Sequence, residues 1–272
     1  MDASSRAALA VSRERLAETT RGAAGPGLLA LADELFAVAR LLEGQISLRR
    51  ALADASVKPG DRAGLVRSIL GGKVSAATVD LTETVARQRW SRPLDLVEAV
   101  ENLAAEASLD AAEARGELDG VEDELFRFGR IVAGDPGLTR ILSDDSAPTA
   151  GKVALLDRLL SGRVSPVTEQ LLRSTLTVRH VGNAENRIER LSEAASARRG
   201  RSVAHVTSAA PLTAAQEQRL QDVLGRIYGR TIGLQVTVDP SVLGGLVVRV
   251  GDEVVDGSVA NRLEGASRRL AR

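Results

Sequence analysis

The chain has 272 residues, which allows one to three domains with buried cores. Lysine plus arginine and aspartate plus glutamate both number 36, so no net field draws nucleic acid or an anionic membrane to the protein. There is no cysteine, which excludes disulfides and thiol chemistry, and no apolar run is long enough to cross a bilayer. Aromatic residues make up only 2%, so Leu, Val, Ile and Ala must build the cores, which favours helical packing.

The first third of the chain has the periodicity of helices. After the breaker at residues 25–27, apolar residues recur every three or four positions, as one face of a helix requires: Leu28, Leu31, Leu35, Ala39 and Leu42. Short helices are predicted around residues 48–52 and 65–70. Ser75 is expected to cap a further helix that turns Leu81 and Val85 inward.

An internal duplication organises the first 200 residues. The tetrapeptide Asp-Glu-Leu-Phe at residues 33–36 recurs at residues 123–126, an offset of 90, and 19 of the 57 positions from 33 to 89 match in that register. Chance gives roughly one match in ten in such a chain. Each copy is therefore one compact helical unit. The second copy predicts short helices around residues 138–142 and 155–160, and a helix that Ser165 caps with Pro166 in its first turn.

The two copies overlap at their junction. The last helix of the second copy is expected at residues 183–199, and the repeat offset of 90 places the last helix of the first copy at residues 93–109. The first helix of the second copy is expected at residues 97–115, so the two helices overlap. The economical interpretation is one continuous helix over residues 93–115 that both bundles share. The predicted domains are a first bundle at 1–108 and a second at 97–198.

The pattern changes after the predicted break at residues 198–201. Residues 203–207 read as a strand, and Thr213 with Gln216 forms a capping box. The helix that follows is expected to turn Leu220, Val223, Leu224 and Ile227 inward, and residues 232–238 alternate as a half-buried strand. The fold class is mainly α, with a small α+β domain at 199–272.

A hairpin motif dominates the end of the chain. The preceding strand ends at Asp239-Pro240. The segment Leu243-Gly244-Gly245 then leads into the next strand, which is followed by a turn at residues 251–252. After a second turn at Asp256-Gly257, Ser258 opens a last helix that carries Arg262 and Leu263. Two adjacent glycines at a strand mark a bulge or a close approach of the backbone.

This ordered motif resembles the C-terminal signature of the delta subunit of F-type ATP synthases, a family that includes the mitochondrial oligomycin-sensitivity-conferring protein. Residues from about 97 to 272 correspond to an ordinary delta subunit, and the first 96 are an extra copy of the bundle. The resemblance implies a non-catalytic peripheral-stalk subunit, without cofactor, on the cytoplasmic face of the bacterial plasma membrane. Such a subunit holds the catalytic head against rotor torque during proton-driven ATP synthesis.

The resemblance also implies partners. The helical bundle is expected to hold the N-terminal segments of alpha subunits, and the C-terminal domain the b-type stalk helices, with no nucleic acid and no direct membrane insertion. Helix-in-groove recognition suits such a bundle. The residues expected to contact the head are Val97, Val100, Ala104, Leu172, Thr175 and Val178. The expected stalk-binding or signature residues are Asp239, Pro240, Leu243, Gly244, Gly245, Asp256, Gly257, Ser258, Arg262 and Leu263.

No catalytic or metal-binding set is expected. His180 and His205 fall in different predicted domains and the chain has no cysteine, so no zinc site is expected. A Ser-His-Asp arrangement needs a suitably placed histidine, which the sequence does not indicate. Two other interpretations stay open. One is a generic helical-repeat adaptor, which the duplication alone would allow. The other is an enzyme or an RNA-binding α+β protein, which the neutral charge and the lack of paired strand aromatics disfavour.

Overall fold

A computed structural model of the protein describes residues 1–144, 146–178, 183–201, 203–228, 232–239, 242, 244–250 and 253–256. The chain divides into two compact units, Met1–Ala195 and Ser196–Arg272. The described residues confirm the predicted fold class, mainly helical with a small mixed sheet near the C-terminus.

Helices alone make up the described secondary structure of the first unit. Those of the first copy are α1 (Ala3–Thr20), α2 (Gly25–Gly44), α3 (Ile46–Ala53), α4 (Pro59–Leu70), α5 (Ala76–Arg87) and α6 (Pro93–Ala114). Those of the second are α7 (Leu118–Gly134), α8 (Pro136–Ser143), α9 (Thr149–Leu160), α10 (Pro166–Thr177) and α11 (Ala184–Arg201), the last of which runs on past Ala195. The helix α1, absent from the prediction, begins 90 residues before α6, so the repeat register could have located it.

The helix α6 is both the sixth helix of the first copy and the first helix of the second. This confirms the continuous helix predicted for residues 93–115. Of its 22 residues, 13 are buried, more than the single apolar stripe of a surface helix provides. A single continuous core joins the two copies around it and includes Leu103, Ala104 and Ala107.

Local sequence explains how the helices begin and end. The hydroxyl of Ser75 accepts a hydrogen bond from the backbone N–H of Thr78, and Ser165 does the same with Thr168, as predicted. The turns before these caps contain Gly72 at φ 73° and Gly162 at φ 71°, a region that costs glycine nothing. The break predicted at residues 198–201 is wrong, because α11 continues through Gly200 to Arg201. One glycine costs a helix only about 1 kcal/mol.

The second unit contains β1 (Val203–Ser208), α12 (Ala214–Tyr228), β2 (Gly233–Val238), β3 (Leu246–Val250) and β4 (Glu253–Asp256). The sheet order is β2-β1-β3-β4, with β1 parallel to β2 and the other pairs antiparallel. The capping box is confirmed, since the backbone N–H of Thr213 lies 2.8 Å from the side-chain oxygen of Gln216. The hairpin turn at 251–252 and the predicted last helix lie outside the described residues.

The helix α12 packs on one face of this sheet, where Leu224 is buried with Val206, Val248 and others. The prediction that Ile227 points inward is wrong, because this side chain is 68% exposed. Leu224 and Tyr228 lie four residues apart and form the line of contact with the sheet, and Ile227 falls to one side of that line.

Candidate partner-binding groove

The first unit contains a groove of about 1130 Å³ that follows the one open side of α6. Every residue of α6 between positions 94 and 106 that is not buried lines this groove. These residues are Leu94, Glu98, Glu101, Asn102, Ala105 and Glu106. The end of α2, the start of α3, and parts of α10 and α11 supply the walls, through residues such as Phe36, Ile46, Thr175 and Leu191.

The groove combines apolar side chains with carboxylates. Leu94 and Ile46 are about half exposed, at 49% and 52%. Arginines line it as well: Arg13, Arg49, Arg92, Arg187 and Arg190. Two of them pair within the chain, since Arg13 lies 2.6 Å from Glu106 and Arg92 lies 2.7 Å from the buried Asp95. An apolar floor edged with charged side chains suits an amphipathic helix.

The structure places the six predicted head contacts in two settings. Val97 and Thr175 line the groove, although Val97 is only 3% exposed and also belongs to the core. Val100, Ala104 and Leu172 are fully buried, and Val178 is nearly so. In the free chain these four residues contribute to the core, so a partner reaches them only if a helix moves.

A polar junction that the sequence did not predict joins the two copies beside the groove. The side-chain amide of Gln170 on α10 donates to Asp33 Oδ1 at 2.6 Å and to the carbonyl of Leu29 at 3.3 Å, both on α2. The hydroxyl of Ser108 on α6 donates to Gln170 Oε1 at 2.9 Å. The position equivalent to Gln170 in the first copy holds Asp80. This difference between the copies is the sequence feature that could have indicated the junction.

A buried cation holds the short helices of the first copy together. Arg62 is 2% exposed, and its guanidinium donates to the carbonyls of Leu52 at 3.2 Å, Gln88 at 2.8 Å and Arg87 at 3.1 Å. These carbonyls lie at the carboxyl ends of α3 and α5, where the helix dipole favours positive charge. Burial lowers the pKa of Arg62 from its ordinary value.

The second copy divides the same task between two residues. Lys152, the equivalent of Arg62, donates to the carbonyl of Leu142 at 3.1 Å. Arg187 on α11 donates to the carbonyl of Val178, the equivalent of Gln88, at 2.9 Å. Since Arg187 also lines the groove, this contact fixes one wall of the groove to α10.

A glutamate ties α2 to the start of α5. Glu34 accepts from the backbone N–H of Ser75 at 3.0 Å and from the hydroxyls of Ser75 and Thr78, each at 2.5 Å. Burial alone would raise the pKa of Glu34, but the hydrogen bonds from Ser75 and Thr78 outweigh it and lower that pKa. In the second copy, Glu124 accepts from the backbone N–H of Ser165 at 3.0 Å and from the hydroxyl of Thr168, while the hydroxyl of Ser165 donates to Thr168.

The predicted signature of the second unit is described only in part. The backbone N–H of Asp239 donates to the carbonyl of Ser208 at 2.8 Å, which joins the ends of β2 and β1. Gly244 and Gly245 have φ of 113° and 85°, and Asp256 pairs with Val247 across the hairpin. The other signature residues lie outside the described part of the chain: Pro240, Leu243, Gly257, Ser258, Arg262 and Leu263.

Metal-binding clusters and membrane-spanning helices are both absent from the part of the chain that the structure describes. No group of three or more His, Asp or Glu side chains there could hold a metal ion. Within the same residues, no helix is long and apolar enough to span a bilayer. His205, on β1, is described, whereas His180 is not.

The described residues define a duplicated helical bundle with a groove, followed by a separate α+β unit. Comparison with known proteins gives the family. The family model for the ATP synthase delta (OSCP) subunit matches residues 100–270, and its match begins inside α6.

Relatives of similar length match the whole chain. The ATP synthase subunit delta of Parafrankia sp. (strain EAN1pec) is 47% identical, with 100% of each chain covered. Those of Streptomyces coelicolor and Streptomyces griseus are 48% and 46% identical, covering all of this chain and 98% and 100% of theirs. The chain belongs to the ATP synthase delta (OSCP) subunit family and is a peripheral-stalk component of that complex.

Proposed function

We propose that this chain is the non-catalytic adaptor of the peripheral stalk, which joins the catalytic head to the stalk and resists rotor torque during ATP synthesis. The groove along α6 is the observation that carries the proposal, because it is long, partly apolar and built on a helix buried on its other sides. A rigid helix of this kind transmits force between the two bundles. The comparisons give no support to a generic repeat adaptor outside ATP synthases.

The head end is the groove. N-terminal segments of alpha subunits bind there as amphipathic helices, with apolar anchors over Leu94 and Val97 and basic side chains near Glu98. Thr175 contributes from the opposite wall. Val100, Ala104, Leu172 and Val178 support the floor of the groove from within the core.

The stalk end is the second unit. Its signature segment, from Asp239 to the C-terminal basic and apolar residues Arg262 and Leu263, holds the b-type stalk helices. The chain thus sits on the cytoplasmic face of the plasma membrane and is peripheral, through its partners. No cofactor takes part, since the task is mechanical.

Blocking the groove tests this division of labour in the full-length chain. Ala105 is half-buried on the groove floor, so Ala105→Trp fills the path of a bound helix. We expect it to weaken binding of an alpha-subunit N-terminal peptide by about tenfold or more, since one central anchor often carries that much of an interface. Binding of a b-type helix should not change.

The matched control is Ala51→Trp, at an exposed position of α3 that does not line the groove. Both peptides should bind this variant as they bind the unaltered chain. Reconstitution into depleted membranes gives the functional readout, and Ala105→Trp should restore less proton-coupled ATP synthesis than the control. Equal binding of the alpha peptide by both variants would overturn the assignment of the groove.

A further inference from the structure

Two equivalent phenylalanines have opposite surroundings. Phe36 on α2 and Phe126 on α7 occupy the same position in the two copies, 90 residues apart. Phe36 is 3% exposed and belongs to the core, whereas Phe126 is 60% exposed. Because both helices belong to the same repeat, the difference lies in what covers each of them.

The second copy contacts the face of α2 that carries Phe36. Leu29, Asp33 and Phe36 follow one another at intervals of four and three residues, so they share one helix face. Gln170 of α10 donates to the first two of these residues, and Phe36 itself lines the groove with Thr175. This face of α2 therefore carries a buried aromatic ring and accepts hydrogen bonds from a side-chain amide of the second copy.

The equivalent face of α7 has no such cover among the described residues. Asp119, Asp123 and Phe126 stand at the equivalent positions, and all three are exposed. Asp123 pairs at 2.6 Å with Arg127, but both side chains are more than half exposed, and such a pair contributes little to stability. The face therefore offers an aromatic anchor beside two carboxylates.

A second copy of this chain does not fit that face. In a head-to-tail stack, the first copy of the next chain would occupy the place of the second copy here. It would bring Asp80, the equivalent of Gln170, against Asp123. Asp80 is already bound to Arg15 at 2.7 Å, and two carboxylates repel each other. The charge pattern favours a different chain, with amide or basic donors.

We propose that the face of α7 formed by Asp119, Asp123 and Phe126 docks a helix of another subunit of the complex. That helix presents an apolar side chain to Phe126 and amide or basic donors to the carboxylates, as Gln170 of α10 donates to Asp33 of α2. The inference rests on the proposed function, because the partner is sought within the assembled ATP synthase. The site is distinct from the groove along α6.

Thiol labelling tests the proposal cleanly, because the chain contains no cysteine. In a Phe126→Cys variant, we expect a maleimide to react fast with the free full-length chain and at least tenfold more slowly once the chain is assembled into the ATP synthase. A Val11→Cys variant, exposed on α1, should react fast in both states. A Phe36→Cys variant should react slowly in both.

The outcomes separate the two hypotheses. Fast labelling of Phe126→Cys within an assembled complex overturns this inference and leaves the proposed function intact. Failure of the unaltered chain to enter the complex overturns both. Slow labelling in the free chain would mean that the second unit covers the face, or a second copy if the rate falls as concentration rises, and either result overturns the proposal.

A second variant tests the proposal even if Phe126→Cys itself prevents assembly into the complex. Asp123→Arg keeps Phe126 in place but reverses the charge beside it, and we expect it to weaken assembly about tenfold with an unchanged melting temperature. Phe36→Ala, its counterpart in the core, should lower the melting temperature instead. Unchanged assembly of Asp123→Arg would contradict the proposed recognition.

Discussion

Arg67 and Glu83 form an ion pair between α4 and α5, and the equivalent positions of the second copy hold the same pair with the charges exchanged. Nε and Nη2 of Arg67 each lie 2.8 Å from a carboxylate oxygen of Glu83. In the second copy, Arg173 donates to Asp157 between α10 and α9. Attraction between opposite charges does not depend on which helix carries which sign, so both copies keep the contact.

This reversal predicts that the charges of Arg67 and Glu83 can be exchanged without loss of stability only if both residues are changed together. Arg67→Asp places two carboxylates together, and we expect it to lower the free energy of unfolding by about 0.5–1 kcal/mol, a modest loss because Arg67 is largely exposed. Adding Glu83→Arg and Arg87→Thr reproduces the second copy's residues and should restore most of the loss. Urea unfolding measures both variants, and a single variant as stable as the unaltered chain would contradict the prediction.

The buried cation predicts a rescue between the two copies. In Arg62→Lys, the shorter side chain reaches the carbonyl of Leu52 as Lys152 reaches that of Leu142, and the carbonyl of Gln88 loses its donor. We expect a loss of about 1–3 kcal/mol, the cost of an unsatisfied buried acceptor.

Adding Val97→Arg, which copies Arg187, should then recover at least half of that loss in thermal unfolding. In the unaltered chain the same Val97→Arg substitution should destabilise, because Arg62 already fills the space. Failure of the double variant to exceed Arg62→Lys in stability would show that the two arrangements are not equivalent.

The lowered pKa of Glu34 predicts a specific acid sensitivity. Because the folded value lies below the ordinary 4.5, the ionised carboxylate contributes stability that is fully present above the unfolded pKa. That stability is lost as the pH falls through the folded pKa. Between about pH 5 and pH 3, the unaltered chain should lose stability more steeply than Glu34→Gln.

Urea midpoints at several pH values check this dependence. Thr78→Val removes one hydroxyl donor to Glu34 and should give an intermediate slope. Parallel curves for Glu34→Gln and the unaltered chain would show that the contact does not distinguish the two protonation states.

The positive φ of Gly245 predicts that a side chain there strains the entry to β3. Gly245→Val should lower the free energy of unfolding by about 1–3 kcal/mol, since a β-branched residue disfavours this region. The control is Gly60→Ala on α4, where an added Cβ meets no atom within 4 Å. That variant should be neutral or slightly more stable. Equal stability of the two variants would mean that the loop relaxes.

The shared helix predicts coupled bundles. Ala104 is fully buried in the middle of α6, so Ala104→Pro removes a backbone hydrogen bond and clashes inside the core, at a cost of about 3 kcal/mol or more. We expect hydrogen exchange to accelerate in both α2 and α10. Acceleration confined to one copy would show that the two bundles are stable independently.

Much of this architecture could be predicted from the sequence because its determinants are local. Helix periodicity, the serine caps before α5 and α10 and the capping box at Thr213 act over three or four residues. The repeat register then transferred each assignment from one copy to the other. The same reasoning was wrong at two residues. The helix α11 continues through Gly200, which was expected to end it, and Ile227 of α12 is exposed although it was expected to face the sheet.

Only the tertiary structure decided which equivalent residues differ in their surroundings. Phe36 and Phe126 stand in the same tetrapeptide, yet one is buried and the other exposed. The contact of Gln170 with Asp33 spans 137 residues and exists because the second copy has a neighbour on that side. Local sequence describes a helix and its faces, whereas the burial of each face depends on what folds against it, and in a duplicated chain the two copies cannot have identical neighbours.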